Sequence, residues 1–225
     1  MSFEEGGRLE AAHFETCRRS SQSRAIRHRF FAEREAGQVP GLLQHLSPRP
    51  IRKIGVVGAG TMVVTVLLEA KPEPLERGLG TIRSNYAASV TKGKLTQEEM
   101  QQRMGCLRGT LDDEELADCD LVIEAVFEDM TLKQQVMRRL GNICKPGTIL
   151  ATNTSTLNVD HIAGASAMPA DVIGTHFFSP ANVMRLLEVV RGARTAPDVL
   201  LTINGSCASH RQDGRGQWRL LRVHR

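Results

Sequence analysis

Four groups of residues have the types and spacing to do chemistry. Gly58-Ala59-Gly60-Thr61-Met62 directly follows the apolar run 51–57. After a strand, the first glycine of such a pair allows a tight turn and the second lets a pyrophosphate approach the backbone. The helix that follows then presents free N–H groups to the anion. A lone Gly-x-Gly also marks ordinary turns, so both readings stand. His176 lies in Gly174-Thr175-His176-Phe177-Phe178-Ser179-Pro180, and Glu188 lies inside the next apolar run, 186–190. A histidine at one strand end and a glutamate in the next strand could form a general base with its orienting carboxylate. The plainer reading of His176 is a satisfied core histidine. Glu188 is harder to dismiss, because a carboxylate in an apolar run is costly to bury unless paired. Asn153-Thr154-Ser155-Thr156 could set hydroxyls at the carboxyl end of a sheet, where open α/β sheets bind ligands, or could be a polar loop and helix cap. Glu124, Glu128 and Lys133 flank another strand end and, on residue types alone, read as a solvated face.

The elements that must position these groups are legible over 50–192. Apolar runs at 51–57, 63–68, 120–126, 148–152, 171–178 and 185–190 read as strands. Leu75, Leu79, Ile82, Tyr86 and Val90 recur at spacings of three and four, one face of a helix. Thr96 and Glu99 form a capping box that opens a second helix. Leu132, Val136 and Leu140 mark a third, stopped by Lys145-Pro146-Gly147. Strands alternating with helices imply an α/β fold with a largely parallel sheet. The glycine motif departs from a full dinucleotide fingerprint. Val63 holds the third glycine position, and a strand-like run begins at once. Glu69 ends that run where a ribose-binding carboxylate would stand, only 11 residues after Gly58. A parallel crossover takes a dozen or more residues, usually a helix, so the first crossover helix is expected to be missing.

Composition bounds the rest. The chain has 225 residues, 41% hydrophobic and 24% charged, an ordinary globular balance. No apolar run approaches the ~20 residues of a membrane helix, and no secretory leader is visible. Cys17, Cys106, Cys119, Cys144 and Cys207 form no close pairs, which excludes a zinc-ribbon pattern and points to reduced thiols in a cytoplasmic compartment. The net charge of +4 divides as +2 over 1–49, −2 over 50–192 and +4 over 193–225. The basic surplus thus sits at the ends and does not argue for nucleic acid, for which a basic helix with interleaved aromatics is also lacking. We read 1–49 as a helical connector and linker, 50–192 as the folded domain, and 193–225 as a partial helix followed by a disordered tail.

Taken together, IRKIGVVGAGTM, DLVIEAVFEDMTLK, ILATNTSTL and GTHFFSPANVMRLLEVVRG resemble, in order, the NAD-binding domain of 3-hydroxyacyl-CoA dehydrogenases. The first segment resembles the connector before this domain in multifunctional fatty-acid oxidation enzymes. The resemblance implies a Rossmann-type domain, NAD as cofactor and an acyl-CoA substrate. It implies that His176 is the catalytic base, that Glu188 pairs with it, and that Ser155 lies near the substrate oxygen and cofactor. Gly58, Gly60 and Met62 would form the phosphate loop and Glu69 would bind the adenosine ribose. Val126, Phe127, Glu128 and Lys133 would contact the nicotinamide and ribose side, and Ser179 stands where many relatives have asparagine. Family members continue into a helical C-terminal domain that closes over the acyl-CoA and usually makes the dimer. That domain is expected to be absent here, and similarity to stop after Leu201. An impaired or inactive chain follows, the alternative being a non-catalytic fragment or interaction module.

The tail carries its own expectation. One codon choice for 210–225, read one base later, gives Ile-Gly-Lys-Thr-Ala-Val-Val-Ser-Gly-Val-Cys-Cys-Gly-Phe-Ile-Gly. That product resembles the family's next strand and its Gly-Phe-x-Gly turn, which implies a frameshift near 201–209. Resequencing the gene across codons 200–225 is expected to find the shifted base, and an intact frame would refute it.

Overall fold

The computed structural model describes residues 1–36, 46–58, 66–179, 184, 186–209 and 219–224. It divides into two compact units, Met1–Pro40 and Gly41–Arg225. The division falls some nine residues before the boundary drawn from the linker composition. Arg49 is tied to the second unit. Its guanidinium bonds Asp171 at 2.7 Å and Asp198 at 2.8 Å, and its backbone N–H donates to Thr202 at 2.8 Å, so the last part of the linker belongs to the second unit.

In the first unit, α1 (Phe3–Arg19) opens on a capping box in which Ser2 and Glu5 satisfy each other's backbone N–H. It breaks at Ser20, and α2 (Ser21–Ala36) follows. No residue of α1 is buried, and Phe3, Phe14, Ile26, Phe30 and Phe31 are exposed.

In the second unit the elements run β1 (Ile54–Val57), β2 (Val66–Leu68), α3 (Pro72–Thr91), α4 (Gln97–Gly105), β3 (Arg108–Thr110), β4 (Leu121–Glu124), α5 (Met130–Ile143), β5 (Ile149–Thr152), α6 (Val159–Ala163), β6 (Val172–Phe177), β7 (Leu186–Val190), α7 (Pro197–Ser209) and β8 (Arg219–His224). Among the described residues the strands form one sheet in the order β3-β2-β1-β4-β5-β6-β7-β8, parallel except for the β6–β7 pair. The chain winds outward from β1 to β3, then crosses to β4 and winds the other way. That reversal is the switch point at which doubly wound sheets bind ligands. Register levels the strand ends. Thr110, Leu68, Val57, Glu124, Thr152 and Gly174 are successive partners across the sheet.

The core explains the continuous apolar runs. β4 and β5 are buried along their whole length, as strands covered on both faces are. On one face Val57, Leu68, Val122, Leu150 and Val172 pack with Val136, Met137 and Leu140 of α5 and Ile162 of α6. The capping box at Thr96 and Glu99 forms as expected. Asp129 caps α5, accepting the Leu132 N–H at 2.7 Å.

Four features differ from the expected pattern. β3, Arg-Gly-Thr, has no apolar signal because it is a short edge strand whose residues are mostly exposed. α7 continues to Ser209, with Val199, Leu200 and Ile203 buried, so the helix outlasts the similarity expected to end at Leu201. The tail is not disordered throughout. Residues 219–224 form β8, which pairs in parallel with β7, since β7 offers an open edge and Leu220, Leu221 and Val223 suit a strand. Residues 210–218, the remainder of the expected disorder, lie outside the described residues. Finally, β1 and β2 pair in parallel although only eight residues, 58–65, join them. A helical crossover takes a dozen or more. Among the described residues no helix is long and apolar enough to cross a membrane.

At the opposite end of the sheet from the switch-point loops, Asp120 anchors the entry to β1. Its Oδ2 accepts the N–H groups of Arg52 and Lys53 at 2.8 and 3.0 Å, and its Oδ1 accepts Lys145 Nζ at 2.6 Å. The Lys145 hydrogen bond, opposed by burial and aided by the two backbone donors, lowers the carboxyl from an ordinary 3.8 to about 2. A lowered folded value stabilises above the unfolded value and is lost as pH falls through the folded one. Stability is therefore expected to drop between about pH 4 and pH 2, and Asp120→Asn to flatten that part of a urea-denaturation series against pH.

Candidate functional site

β1, β2, β4 and β5 end at one level row, at Val57, Leu68, Glu124 and Thr152, while β6 passes that row at Gly174 and runs on to Phe177. At the β1 end, Gly58 has φ of 105°, a left-handed conformation open to glycine. Its N–H donates to Leu68 O at 3.0 Å, and a Cβ there would lie 2.7 Å from Ala125 O. Only a bare backbone passes between the β2 and β4 ends. A cleft of about 720 Å³ opens here, lined by Gly58, Glu69, Val126 and the Leu132, Val136 and Arg139 face of α5. The structure therefore brings Gly58, Glu69 and Val126 together. Gly60 and Met62 lie outside the described residues.

The β4 and β5 loops hold a charged cluster. Glu124 and Lys133 are both 0% exposed, which overturns the solvated-face reading. Glu124 Oε1 accepts Lys133 Nζ at 2.8 Å and Val126 N–H at 2.8 Å, and Oε2 accepts the Thr152 hydroxyl at 2.6 Å. Lys133 also donates to Asn153 O at 2.9 Å and Val126 O at 3.4 Å. Lys133 was expected among the cofactor contacts, but its ammonium is enclosed by protein acceptors. Residue spacing could not show this, because Glu124 and Thr152 become neighbours only through strand register.

Glu128 stands nearer solvent. One oxygen, Oε1, accepts the Thr154 hydroxyl at 2.7 Å, the Ser155 N–H at 2.8 Å, the Ser155 hydroxyl at 3.1 Å and the Thr156 N–H at 3.1 Å. Burial raises its pKa, but the Thr154 hydroxyl and the Ser155 and Thr156 donors outweigh it and hold the carboxyl down at about 2. Both earlier readings of 153–156 thus hold in part. The segment is a hydrogen-bonded loop, and it presents Ser155, exposed, at the carboxyl end of β5. Phe127 is 86% exposed on the same rim, and Ser179 is exposed just beyond β6.

His176 and Glu188 are directly opposed across the antiparallel β6–β7 pair. His176 Nδ1 lies 3.2 Å from Glu188 Oε2, with the side chains 22% and 28% exposed. The core-histidine reading fails, since the ring is partly open and paired with a carboxylate. Phe178 packs on the imidazole with ring centroids 4.6 Å apart. Asn153 Oδ1 accepts the Phe177 N–H at 3.0 Å, tying the β5 loop to the residue beside His176. Thr152 is the site residue that the sequence reading did not single out, while Asn153 and Glu124 stood in its candidate groups without the bonds to Phe177 and Thr152 that they make here. Cys119 and Cys144 are buried, and burial pushes their thiols up to about 11 and about 12, which leaves these two inert as nucleophiles.

A doubly wound sheet with a bare-backbone turn after β1, a carboxylate after β2 and polar groups on the later strand ends defines a dinucleotide-binding α/β domain. Residues 53–213 match the family described as 3-hydroxyacyl-CoA dehydrogenase, NAD binding domain, and the chain belongs to that family. The resemblance read from the motifs holds, and the match runs beyond Leu201. The rice peroxisomal fatty acid beta-oxidation multifunctional protein is 40% identical over 207 residues, taking in 86% of this chain and 28% of its own length. The crystal structure of FadB2 from M. tuberculosis is similar with a TM-score of 0.69 at 31% identity, covering 79% of this chain and 64% of that one. The dehydrogenase part of multifunctional enzyme 1 from C. elegans has a TM-score of 0.68 at 28% identity, covering 81% and 46%. This chain spans less than a third of the length of the curated relatives it matches. Those relatives are named peroxisomal or glyoxysomal, whereas cysteine usage suggested the cytoplasm. Free thiols separate oxidising from reducing compartments but do not choose among the reducing ones.

Gly58→Ala combines a strained φ with the contact to Ala125 O. It is expected to cost about 1–3 kcal/mol in urea unfolding, the usual range for a residue held in a disfavoured backbone region.

Proposed function

We propose that this chain is the cofactor-binding part of an enzyme that oxidises a 3-hydroxyacyl-CoA to the 3-oxoacyl-CoA in fatty-acid β-oxidation. One observation carries the reading: the cross-strand His176–Glu188 pair, partly open to solvent, in a chain of this family. A carboxylate at Nδ1 favours the tautomer with its proton there, which leaves Nε2 as the basic nitrogen. His176 takes the C3 hydroxyl proton on Nε2, and Glu188 stabilises the imidazolium that forms. Ser155 offers its hydroxyl to the substrate oxygen. Bound NAD supplies the acceptor for the hydride that leaves C3.

The described residues fit that cofactor in part. The bare backbone at Gly58 suits a pyrophosphate, and Glu69 at the β2 end suits a ribose diol while disfavouring a 2′-phosphate. Val126, Phe127 and Glu128 form the rim proposed for the nicotinamide side. We assign the working compartment to the peroxisome-like organelles of the relatives. The competing reading, a fragment that does not bind cofactor, is favoured by the eight-residue join between β1 and β2. That join weakens binding at the phosphate end, so we expect low affinity and turnover well below the ~1–10³ s⁻¹ usual for enzymes.

Titration of the full chain with NADH, followed by nicotinamide fluorescence, is expected to saturate and to weaken on Glu69→Ala. Residual reduction of acetoacetyl-CoA is expected to fall by about 10²–10⁴ on His176→Ala, the usual contribution of a general base. A chain with native-like circular dichroism and no saturable NADH binding would reject the enzyme reading.

A further inference from the structure

Glu124 lies at the switch point, fully buried, at the carboxyl end of β4. Its carboxylate closes three separate pieces of chain. Oε1 fixes the Val126 N–H at the start of the β4 loop, at 2.8 Å, and the Lys133 ammonium in the first turns of α5, at 2.8 Å. Oε2 takes the Thr152 hydroxyl, at 2.6 Å, on the neighbouring strand. Lys133 extends the network to Asn153 O at 2.9 Å, and its ammonium stands 3.8 Å from Glu128. From there the side chain of Asn153 reaches the Phe177 N–H beside His176, while Glu128 holds Ser155.

We propose that Glu124, acting through Lys133, is a positioning residue that sets the loops after β4, β5 and β6 in the geometry that holds cofactor and substrate, a role that rests on the cofactor reading above. Two physical points favour positioning over plain stabilisation. A buried ion pair contributes little net stability, and an apolar pair of similar volume often does as well or better. The acceptors and donors satisfied by this pair all belong to strand ends and loops, Val126, Thr152 and Asn153, and not to the packed strand interiors. Removing the pair therefore frees the loops first. The charge balance points the same way. With Glu124 in place, the Lys133 ammonium is compensated internally, and Glu128 remains free to hold Thr154, Ser155 and Thr156.

The experiment uses the full chain and two readouts: amide hydrogen exchange at Val126, Ser155 and Phe177, and the NADH dissociation constant. Glu124→Leu/Lys133→Met fills the space with apolar groups. It is expected to quicken exchange at all three amides tenfold or more and to raise the NADH dissociation constant tenfold or more, with the melting temperature unchanged. Thr152→Val, which removes one hydrogen bond and keeps the charges, tests the same network should the double variant not fold. It is expected to change both readouts threefold or more, and Thr152→Ser to restore them. Unchanged exchange and affinity in a folded variant would overturn the proposal, as would affinity lost while the loop amides stay protected. If the unaltered chain binds no NADH, the cofactor reading fails, and the exchange measurement alone then decides whether Glu124 holds the loops.

Discussion

Glu124 and Lys133 meet without solvent exposure where the winding of the sheet reverses, and the loops of the site hang from that contact. Taking a carboxylate and an ammonium out of water costs several kcal/mol per ion, so such a pair persists only when every remaining polar atom finds a partner. Here the partners are the Val126 N–H, the Thr152 hydroxyl and the Asn153 carbonyl. The strand register makes this possible. Because β4 and β5 run parallel with Glu124 opposite Thr152, the two side chains share one face at one level. A shift of one residue would turn Glu124 to the other face and break the network.

The strand ends set out the site in sequence across the sheet, with β6 and β7 reaching two residues past the level row to His176 and Glu188. Gly58 and Glu69 border the cleft on β1 and β2, the Glu128–Ser155 cluster lies over β4 and β5, and His176 and Glu188 face each other on β6 and β7. Against this regular arrangement stands the eight-residue join between β1 and β2. The rice relative supports the view that the chain is shortened: 207 aligned positions take in only 86% of 225 residues, so some dozen positions of the relative have no counterpart here. A sheet can form around so short a join, since eight extended residues span about 26 Å and a strand of four rises about 13 Å. What the join cannot contain is a full crossover helix, and that is the part of the domain that would meet a phosphate.

The strands β4 and β5 were legible as unbroken apolar runs because a strand covered on both faces has no polar side to show. The helix ends were legible too, in the Thr96–Glu99 box and in Lys145-Pro146-Gly147, because caps and breakers act locally. β3 was not, since three exposed residues on a sheet edge carry no periodicity. β8 was missed because its pairing depends on an open edge of β7 that no local pattern records. Lys133 and Glu124 read as a solvated face because charged residues at a strand end usually are one.

The sequence by itself determined the alternation of strands and helices, the glycine turn after the first strand, the family, and the shortened first crossover, all properties of residue order and length. Between the two readings the sequence left open for His176, the tertiary structure decided: His176 and Glu188, twelve residues apart, are cross-strand partners 3.2 Å apart. It alone decided that Glu128 holds Ser155, and that Lys133 faces inward to Glu124. The physical reason is that contacts between strands depend on register and burial, which are set by the packing of the whole sheet and leave no trace in spacing along the chain.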